Sequence, residues 1–263
     1  MKTLIHLLTV LAGTYLFLLV YLYFRQESFI FFPTKIPAQH RPIINQYHNA
    51  SISLSTAGAT LQGWFIDRGT PLIIYYGGNG EEVSGNLFDV SKFSTGSLLF
   101  VNYRGYGASD NKPSEKTLFA DALSIYDTMV GEYGFDPEQV ILMGRSLGSA
   151  VAVHVAANRT VKAAILITPF DSMINVGKTH YPIFPLGLLL KHRFNSIKIV
   201  PDLTVPMLTI MAENDEIIPK TCSLNLLQSW GGSSKLITIK NAGHNDISGY
   251  PEYWRGVNDF LDQ

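Results

Sequence analysis

Val140-Ile141-Leu142-Met143-Gly144-Arg145-Ser146-Leu147-Gly148 is the stretch that decides the fold, and the small-residue run Ser149 to Ala157 follows it directly. Its first four residues are apolar, as in a buried strand, and the run after the second glycine is typical of a helix. Glycines at 144 and 148 allow the strand and helix backbones to approach closely around a tight, strained turn. The stretch therefore predicts a strand, a sharp turn and a helix, with the Ser146 hydroxyl projecting from the turn.

A serine held on such a turn points to nucleophilic chemistry. The hydroxyl is a weak nucleophile by itself and has to project where a base can reach it. The amino end of the following helix supplies main-chain N–H groups and a positive dipole beside any oxyanion that forms. We therefore predict Ser146 as the nucleophile, Gly144 and Gly148 as the glycines of the elbow, and the Leu147 amide as one oxyanion donor.

A base and an orienting acid are expected later in the chain, in the order serine, acid, histidine. His244 follows the last β-type run, within Asn241-Ala242-Gly243-His244-Asn245-Asp246, and we predict it as the base. Asp215 follows the preceding strand run, and we predict it as the acid that orients the imidazole. Four other carboxylates compete for that role, with loop solvation or helix capping as their alternative: Glu213, Glu216, Asp246 and Asp171.

A second oxyanion donor is expected in the loop after the third strand. That loop reads Tyr76-Gly77-Gly78-Asn79-Gly80, and its glycines allow the backbone to turn an amide toward the reacting carbon. Asn79 is the first choice of donor and Gly78 the second. The alternative is a simple glycine turn, because glycine pairs after strands are common.

Eight short β-type runs alternate, in the later part of the chain, with helical patterns. This alternation predicts an α/β fold, a mostly parallel sheet with helices on both faces, in one domain over residues 50–263. The first two strands lack an intervening helix, so we expect them to form an antiparallel edge. Residues 171–206, rich in Pro, Phe and Leu, are predicted to form a small cap over the carboxyl edge of the sheet. Seven apolar cap residues are candidates for an acyl-binding wall, with ordinary packing as the alternative: Tyr181, Phe184, Leu186, Leu188, Leu189, Leu190 and Phe194.

The first 24 residues differ from the rest of the chain. Leu4 to Phe24 contains no formal charge, and as a helix it would span roughly 30 Å, the thickness of a bilayer core. We predict a retained single-pass membrane anchor at residues 1–24, with a cleaved signal peptide as the alternative. Residues 25–49 are a tether, whose Phe29–Phe32 run packs on the body or lies at the lipid surface. For orientation we favour a catalytic domain outside the cytoplasm.

Composition excludes several other classes of function. The formal net charge is −1 and no run of Lys or Arg occurs, which argues against a nucleic-acid partner. The single cysteine, Cys222, forbids an internal disulfide and a cysteine-based zinc site. No dinucleotide fingerprint, phosphate-binding loop or His-Glu-x-x-His helix is present, so neither a cofactor nor a metal is implied.

Across roughly residues 50–263 the chain resembles the α/β-hydrolase superfamily. Three further segments carry the resemblance besides the elbow: Asn102 to Ser109, Pro169 to Ser172 and Ala242 to Asp246. Together with the anchor, they make the chain similar to the membrane-anchored subgroup that includes protein depalmitoylases and lysophospholipid lipases. One departure is Gly77, at a position where the family often has histidine.

These observations predict a membrane-anchored serine hydrolase that cleaves acyl esters or thioesters through an acyl-enzyme intermediate. Its expected partners are the lipid bilayer and a small acyl substrate or an acylated protein. Two alternatives stay open: a serine peptidase acting on short peptides, and a noncatalytic membrane-bound binding module.

Overall fold

A sheet of eight strands forms the centre of the computed structural model, which describes residues 1–263. Its strands follow the order β1-β2-β4-β3-β5-β6-β7-β8. The strands from β3 to β8 are parallel, whereas β2 pairs antiparallel with both β1 and β4. Their bounds are β1 Ser51–Thr56, β2 Ala59–Ile66, β3 Leu72–Tyr76, β4 Ser97–Val101, β5 Val140–Arg145, β6 Ala163–Ile167, β7 Met207–Ala212 and β8 Ser234–Ile239. The prediction of a mostly parallel sheet with an early antiparallel edge is confirmed.

Nine α-helices and several short 3₁₀ segments surround the sheet. The helices are α1 Lys2–Arg25, α2 Glu27–Ile30, α3 Arg41–Gln46, α4 Glu115–Gly131, α5 Leu147–Ala156, α6 Met173–His180, α7 Leu186–Leu189, α8 Lys220–Ser229 and α9 Pro251–Leu261. The longest 3₁₀ segment runs from Val83 to Lys92, between β3 and β4. At the start of α4, Ser114 and Thr117 form a reciprocal capping box, which satisfies main-chain N–H groups that the helix leaves free.

Both faces of the central strands are buried, and β3 shows how the strand pattern produces this. Leu72, Ile74 and Tyr76 point into a core beneath α4, α5 and α8, whereas Ile73 and Tyr75 point into a second core beneath α9 and the 83–92 segment. Successive strand residues alternate between the two faces of a sheet. A strand that is covered on both faces therefore contains only buried residues, as all five residues of β3 are.

The turn from β5 into α5 requires both of its glycines. A Cβ atom on Gly148 would lie 2.0 Å from the Tyr76 main-chain oxygen, and one on Gly144 would lie 2.3 Å from the Gly148 oxygen. Ser146 itself has a φ of 51°, in the left-handed region that few non-glycine residues adopt. The turn therefore presses β5, α5 and the end of β3 together and leaves the serine at its apex.

The predicted cap contains α6 and α7, and its apolar residues differ in burial. Phe194 is fully buried and packs edge-on against Phe31 and Phe119. Leu186 is also buried. For Phe194 the expectation of a wall is wrong and ordinary core packing is correct, because Phe31 of the tether and Phe119 of α4 cover its ring. Tyr181 and Leu188 are instead exposed to solvent.

The amino-terminal segments differ in burial. No residue of α1 is buried, and α1 is long and apolar enough to cross a membrane. In the tether, Ile30 and Phe31 are buried against the body, whereas Phe29 and Phe32 are about half exposed. Of the two arrangements expected for this run, packing on the body therefore holds for its central residues.

Candidate active site

Three side chains meet at the carboxyl edge of the sheet, each delivered by the end of a different parallel strand. Ser146 follows β5, Asp215 follows β7 and His244 follows β8. His244 Nε2 lies 3.0 Å from Ser146 Oγ, and His244 Nδ1 lies 2.9 Å from Asp215 Oδ2. Ser146 and His244 are almost completely buried. The geometry is a continuous hydrogen-bond relay from carboxylate to imidazole to hydroxyl, the arrangement in which histidine can act as a general base.

Main-chain amides hold the carboxylate of the relay in place. Asp215 Oδ1 accepts hydrogen bonds from the Ile217 amide at 3.0 Å and the Ile218 amide at 2.7 Å, while also lying 3.0 Å from His244 Nδ1. These hydrogen bonds fix the orientation of the carboxylate toward the imidazole. A carboxylate that accepts the Nδ1 hydrogen leaves the Nε2 lone pair of the imidazole directed at Ser146.

The four competing carboxylates bind main-chain amides and do not contact the imidazole ring. Glu213 accepts from the Asn241 amide, Asp246 from the Gly243 amide and Glu216 from the main-chain amide of His244. Asp171 caps its own turn by accepting from the Ser172 amide. Three of them thus shape the loop that carries His244, and Asp215 is the one carboxylate within hydrogen-bond distance of the ring.

The loop after β3 lies over Ser146, and its two candidate oxyanion donors differ. The Gly78 amide donates to Glu81 Oε2 at 2.9 Å, so it is not available to a substrate. The choice of Gly78 is therefore corrected. The Asn79 amide donates to no acceptor in the protein. Leu147 is the first residue of α5, where a helix provides no acceptor for the N–H group. Asn79 follows Gly78, whose Cβ position would lie 3.8 Å from the Ser146 Cβ, and Leu147 follows Ser146 in the chain, so each has an amide near the serine that no protein group uses.

The tether holds Asn79 in place through two hydrogen bonds. Asn79 Nδ2 donates to the Ile30 oxygen at 3.1 Å, and the Phe32 amide donates to the Asn79 oxygen at 2.9 Å. The Tyr106 hydroxyl donates to the same Asn79 oxygen. Sequence reasoning missed Tyr106 and the tether as supports of this loop, because no motif links positions so far apart.

The chain matches one family of known proteins and several individual relatives. The serine hydrolase family matches residues 127–263, just over half of the chain. An uncharacterized protein of Mycobacterium tuberculosis is 30% identical over 234 residues, which cover 87% of this chain and 83% of that protein. The chain belongs to the α/β-hydrolase superfamily.

Further relatives agree with this assignment. The α/β-hydrolase domain-containing protein 17C of mouse is 30% identical over 193 residues, which cover 71% of this α/β-hydrolase and 54% of the mouse protein. A crystal structure of an α/β-hydrolase from Vibrio vulnificus matches with a TM-score of 0.71 and 19% identity over 87% of both chains. A Pyrococcus furiosus esterase matches with a TM-score of 0.68 and 17% identity over 89% of this chain and 97% of that one. The chain is therefore a hydrolase with the α/β-hydrolase fold.

A partly buried ion pair connects the loops around the candidate site of this α/β-hydrolase. Arg145 Nη1 lies 3.0 Å from Glu81 Oε2, and Arg145 Nη2 donates to the His244 main-chain oxygen at 3.1 Å and to Asn245 Oδ1 at 2.9 Å. Glu81 also accepts from Tyr75 and from the Gly78 amide. One pair thus joins the loop after β3, the elbow and the histidine loop. The sequence shows Arg145 inside the elbow but gives no sign of its partner.

The electrostatics of this pair favour charge on both members. Burial alone would raise the pKa of Glu81, but the Arg145 guanidinium together with hydrogen bonds from Gly78, Asn86 and Tyr75 holds that pKa below its usual value. Burial opposes the charge on Arg145 as well, yet the nearby Glu81 carboxylate raises the pKa of the guanidinium. The two charges therefore stabilise each other in a site that excludes most water.

Proposed function

We propose that this chain is a membrane-anchored serine hydrolase in which Ser146, His244 and Asp215 form the catalytic triad. The observation that carries the proposal is the relay of hydrogen bonds from Asp215 through His244 to Ser146, at 2.9 and 3.0 Å. The same three groups act together in serine hydrolases of several unrelated folds. Two unused amides beside the serine, those of Asn79 and Leu147, add to this support.

In the proposed reaction, Ser146 Oγ attacks an acyl carbonyl while His244 Nε2 accepts the hydroxyl proton. The Asn79 and Leu147 amides donate to the oxyanion of the tetrahedral intermediate, where such donors are worth roughly 10²- to 10³-fold each in rate. The intermediate then collapses, the bond to the leaving group breaks, and His244 gives its proton to that group. Water attacks the acyl-enzyme with the same general-base help and releases the acid and free Ser146.

We infer that the substrate is an acyl ester or thioester, on a small molecule or an acylated protein. Support comes from the apolar helix α1 and from the apolar residues that the cap exposes beside it. A peptidase acting on short peptides is the rival. Turnover of acyl p-nitrophenyl esters compared with aminoacyl amides separates the two, and exclusive turnover of the amides would reject the acyl substrate.

Labelling with a fluorophosphonate tests the nucleophile, because this probe needs an activated serine and little substrate recognition. We expect the wild type to be labelled and Ser146→Ala to be unlabelled, with hydrolysis reduced by at least about 10⁴-fold. Ser233→Ala is a matched control, since this exposed serine precedes the amino end of β8, on the opposite edge of the sheet. A folded wild-type protein that is never labelled would favour a noncatalytic binding module.

We further propose residues 1–24 as a retained anchor, residues 25–49 as a tether and residues 50–263 as the hydrolase domain with its cap at 171–206. The proposed orientation places the hydrolase domain outside the cytoplasm, next to the bilayer. A tag at the carboxyl terminus is then digested by protease added to intact cells. Protection of the tag until the cells are opened would reverse the orientation, and loss of residues 1–24 from the mature protein would identify a signal peptide.

A further inference from the structure

The cap is attached to α1 well inside the apolar part of that helix. Tyr15, near the middle of α1, donates its hydroxyl hydrogen to the main-chain oxygen of Ile183 at 2.7 Å. The Tyr15 ring also stacks on Phe184, with the ring centroids 6.1 Å apart and the planes 4° from parallel. The segment Tyr181–Leu190, here called the cap hairpin, therefore lies alongside the helix rather than beyond its end.

A second contact joins the cap to the carboxyl end of α1. Lys191 Nζ lies 4.4 Å from the centre of the Tyr23 ring, and the Lys191 amide donates to Gln26 Oε1 at 2.7 Å. Lysine and tyrosine side chains are enriched at the headgroup level of membrane proteins. Tyr15 precedes Tyr23 by two turns of helix, so the Ile183 end of the cap hairpin lies about 12 Å deeper along α1 than Lys191.

The cap hairpin exposes its apolar side chains on the outer surface. Leu188 is 84% exposed, Ile183 is 69% exposed and Tyr181 is 60% exposed. The exposed apolar side chains of α1 adjoin them through Tyr15. A contiguous apolar surface of this kind is unfavourable in water and marks a contact with another apolar phase.

The backbone of the cap hairpin also suits an apolar medium, in which every unpaired N–H group is costly. Pro182 and Pro185 have no N–H group. Every other N–H group of the segment donates to a main-chain oxygen of the cap, except those of Ile183 and Gly187. The Ile183 oxygen, which the segment itself leaves free, accepts from Tyr15. Few polar main-chain groups would therefore lose hydrogen bonds if the segment left water.

We propose that the cap hairpin is a membrane-insertion surface, and that its occupant is the acyl-chain region of the leaflet nearest the carboxyl end of α1. The proposal rests on the retained anchor put forward above. Apolar side chains at the surface of membrane-bound proteins enter the headgroup and acyl boundary by about 5 to 10 Å, which agrees with the depth set by Tyr15. An acyl substrate then meets the cap before it leaves the bilayer.

Depth-dependent quenching of a fluorophore tests whether the cap hairpin enters the acyl-chain region. Leu188→Cys is labelled with an environment-sensitive dye, and the full chain is reconstituted into phosphatidylcholine vesicles with nitroxide groups near the start of the acyl chains. The native Cys222 stays unlabelled, because it is buried and burial raises its thiol pKa to about 12. Leu236→Cys is the matched control, since this leucine is 41% exposed on β8, away from the cap hairpin.

We expect quenching of about twofold or more at position 188 and none at position 236, as for a side chain in the acyl boundary. Equal, weak quenching at both sites in protein that floats with the vesicles would overturn the insertion surface and leave the anchor intact. Protein that fails to float would overturn the insertion surface together with the anchor. Neither outcome bears on the triad, which fluorophosphonate labelling tests separately.

A functional measurement provides a second test. Ile183→Asp places a charge on an exposed side chain, so the fold is expected to survive. Hydrolysis of a long-chain ester embedded in vesicles should fall by about tenfold, while that of a soluble short-chain ester stays unchanged, because a charge in the acyl region is costly. Equal rates on the embedded ester for variant and wild type would contradict the proposal.

Discussion

At the residue scale, Asp215 differs from its neighbours in what its carboxylate contacts. It accepts two main-chain amides and the imidazole, whereas Glu213 accepts only the Asn241 amide. We predict that Asp215→Asn leaves the conformation of the loop after β7 unchanged but lowers kcat by about 10⁴-fold. An amide at this position no longer fixes the imidazole tautomer that presents a basic Nε2 to Ser146. Kinetics with a p-nitrophenyl ester measure the effect.

The matched control is Glu213→Gln, which keeps an oxygen to accept from Asn241 and should change kcat by less than about tenfold. The reverse ranking of the two variants would move the role of the acid to Glu213. Comparable circular dichroism spectra for both variants exclude unfolding as the cause.

Glu81 gives the site a dependence on pH. Its pKa is held below the ordinary value of 4.5, so its ionisation stabilises the folded state fully above that value. This stabilisation is lost as the pH falls through the lowered pKa. We predict that Glu81→Gln lowers the unfolding free energy at pH 7 by about 3 kcal/mol, since it leaves Arg145 without its charged partner. Urea unfolding between pH 3 and 7 measures this.

The variant should also lose less stability than the wild type as the pH falls below about 5, because it lacks the group whose protonation is responsible. Glu132→Gln, at an exposed position after α4, serves as the control and should follow the wild-type curve. Parallel curves of unfolding free energy against pH for Glu81→Gln and the wild type would contradict the role given to Glu81.

How far the site could be predicted depends on whether its residues carry a local signal. Ser146 and His244 stand in short motifs next to strand ends, so the sequence alone nominated both. Asp215 had four competitors, and what separates it from them is the direction of each carboxylate. The sequence ranks Asn79 ahead of Gly78 but does not show the reason, which is that the Gly78 amide is taken by Glu81, three residues along the chain. Contacts such as that between Arg145 and Glu81 arise only from folding.

At the element scale, the elbow between β5 and α5 leaves no room for a side chain at Gly148. A Cβ on Gly148 would meet main-chain atoms of Tyr76 and Gly77, which belong to a strand and a loop that cannot move aside. We predict that Gly148→Ala destabilises the protein by more than about 4 kcal/mol or prevents folding. Thermal unfolding measures the change.

Gly131→Ala is the matched control, since nothing lies within 4 Å of the position that a Cβ would take there at the end of α4. Its effect should be neutral or a gain of about 0.5 kcal/mol, because alanine favours a helix over glycine. A Gly148→Ala protein as stable as Gly131→Ala would show that the elbow can open.

All eight strands follow from the sequence because buried strands leave short apolar runs between turn residues. The helical patterns between the later strand runs likewise agree with helices of the structure, such as α4 and α5. The segment from Val83 to Lys92 and the two short helices of the cap were not foreseen, because single turns and 3₁₀ geometry have no periodic signal of sufficient length. The sequence could not settle that Phe194 belongs to the core, because its partners Phe31 and Phe119 are distant in sequence.

At the scale of the whole molecule, the tether connects α1 to the loop after β3. The Tyr106 hydroxyl binds the Asn79 oxygen and accepts from the Phe32 amide at 3.0 Å. We predict that Tyr106→Phe lowers kcat by about tenfold with little change in KM, because a small displacement of the Asn79 amide weakens its hydrogen bond to the oxyanion. Steady-state kinetics on a soluble ester measure both constants.

Tyr126→Phe is the control, because its hydroxyl binds the Thr160 oxygen on the far side of α5 and its loss should leave kcat within about twofold. A Tyr106→Phe enzyme that changes KM alone would instead place Tyr106 in substrate binding.

The order of the active-site groups along the chain has a consequence for synthesis. The ribosome makes α1 before any part of the site, then Asn79, Ser146 and Asp215, and His244 after all of them. Until His244 has emerged and β8 has joined the edge of the sheet next to β7, Ser146 has no base. With α1 as the proposed anchor and Ser146 and His244 as the proposed nucleophile and base, the growing chain engages the membrane before its active site is complete.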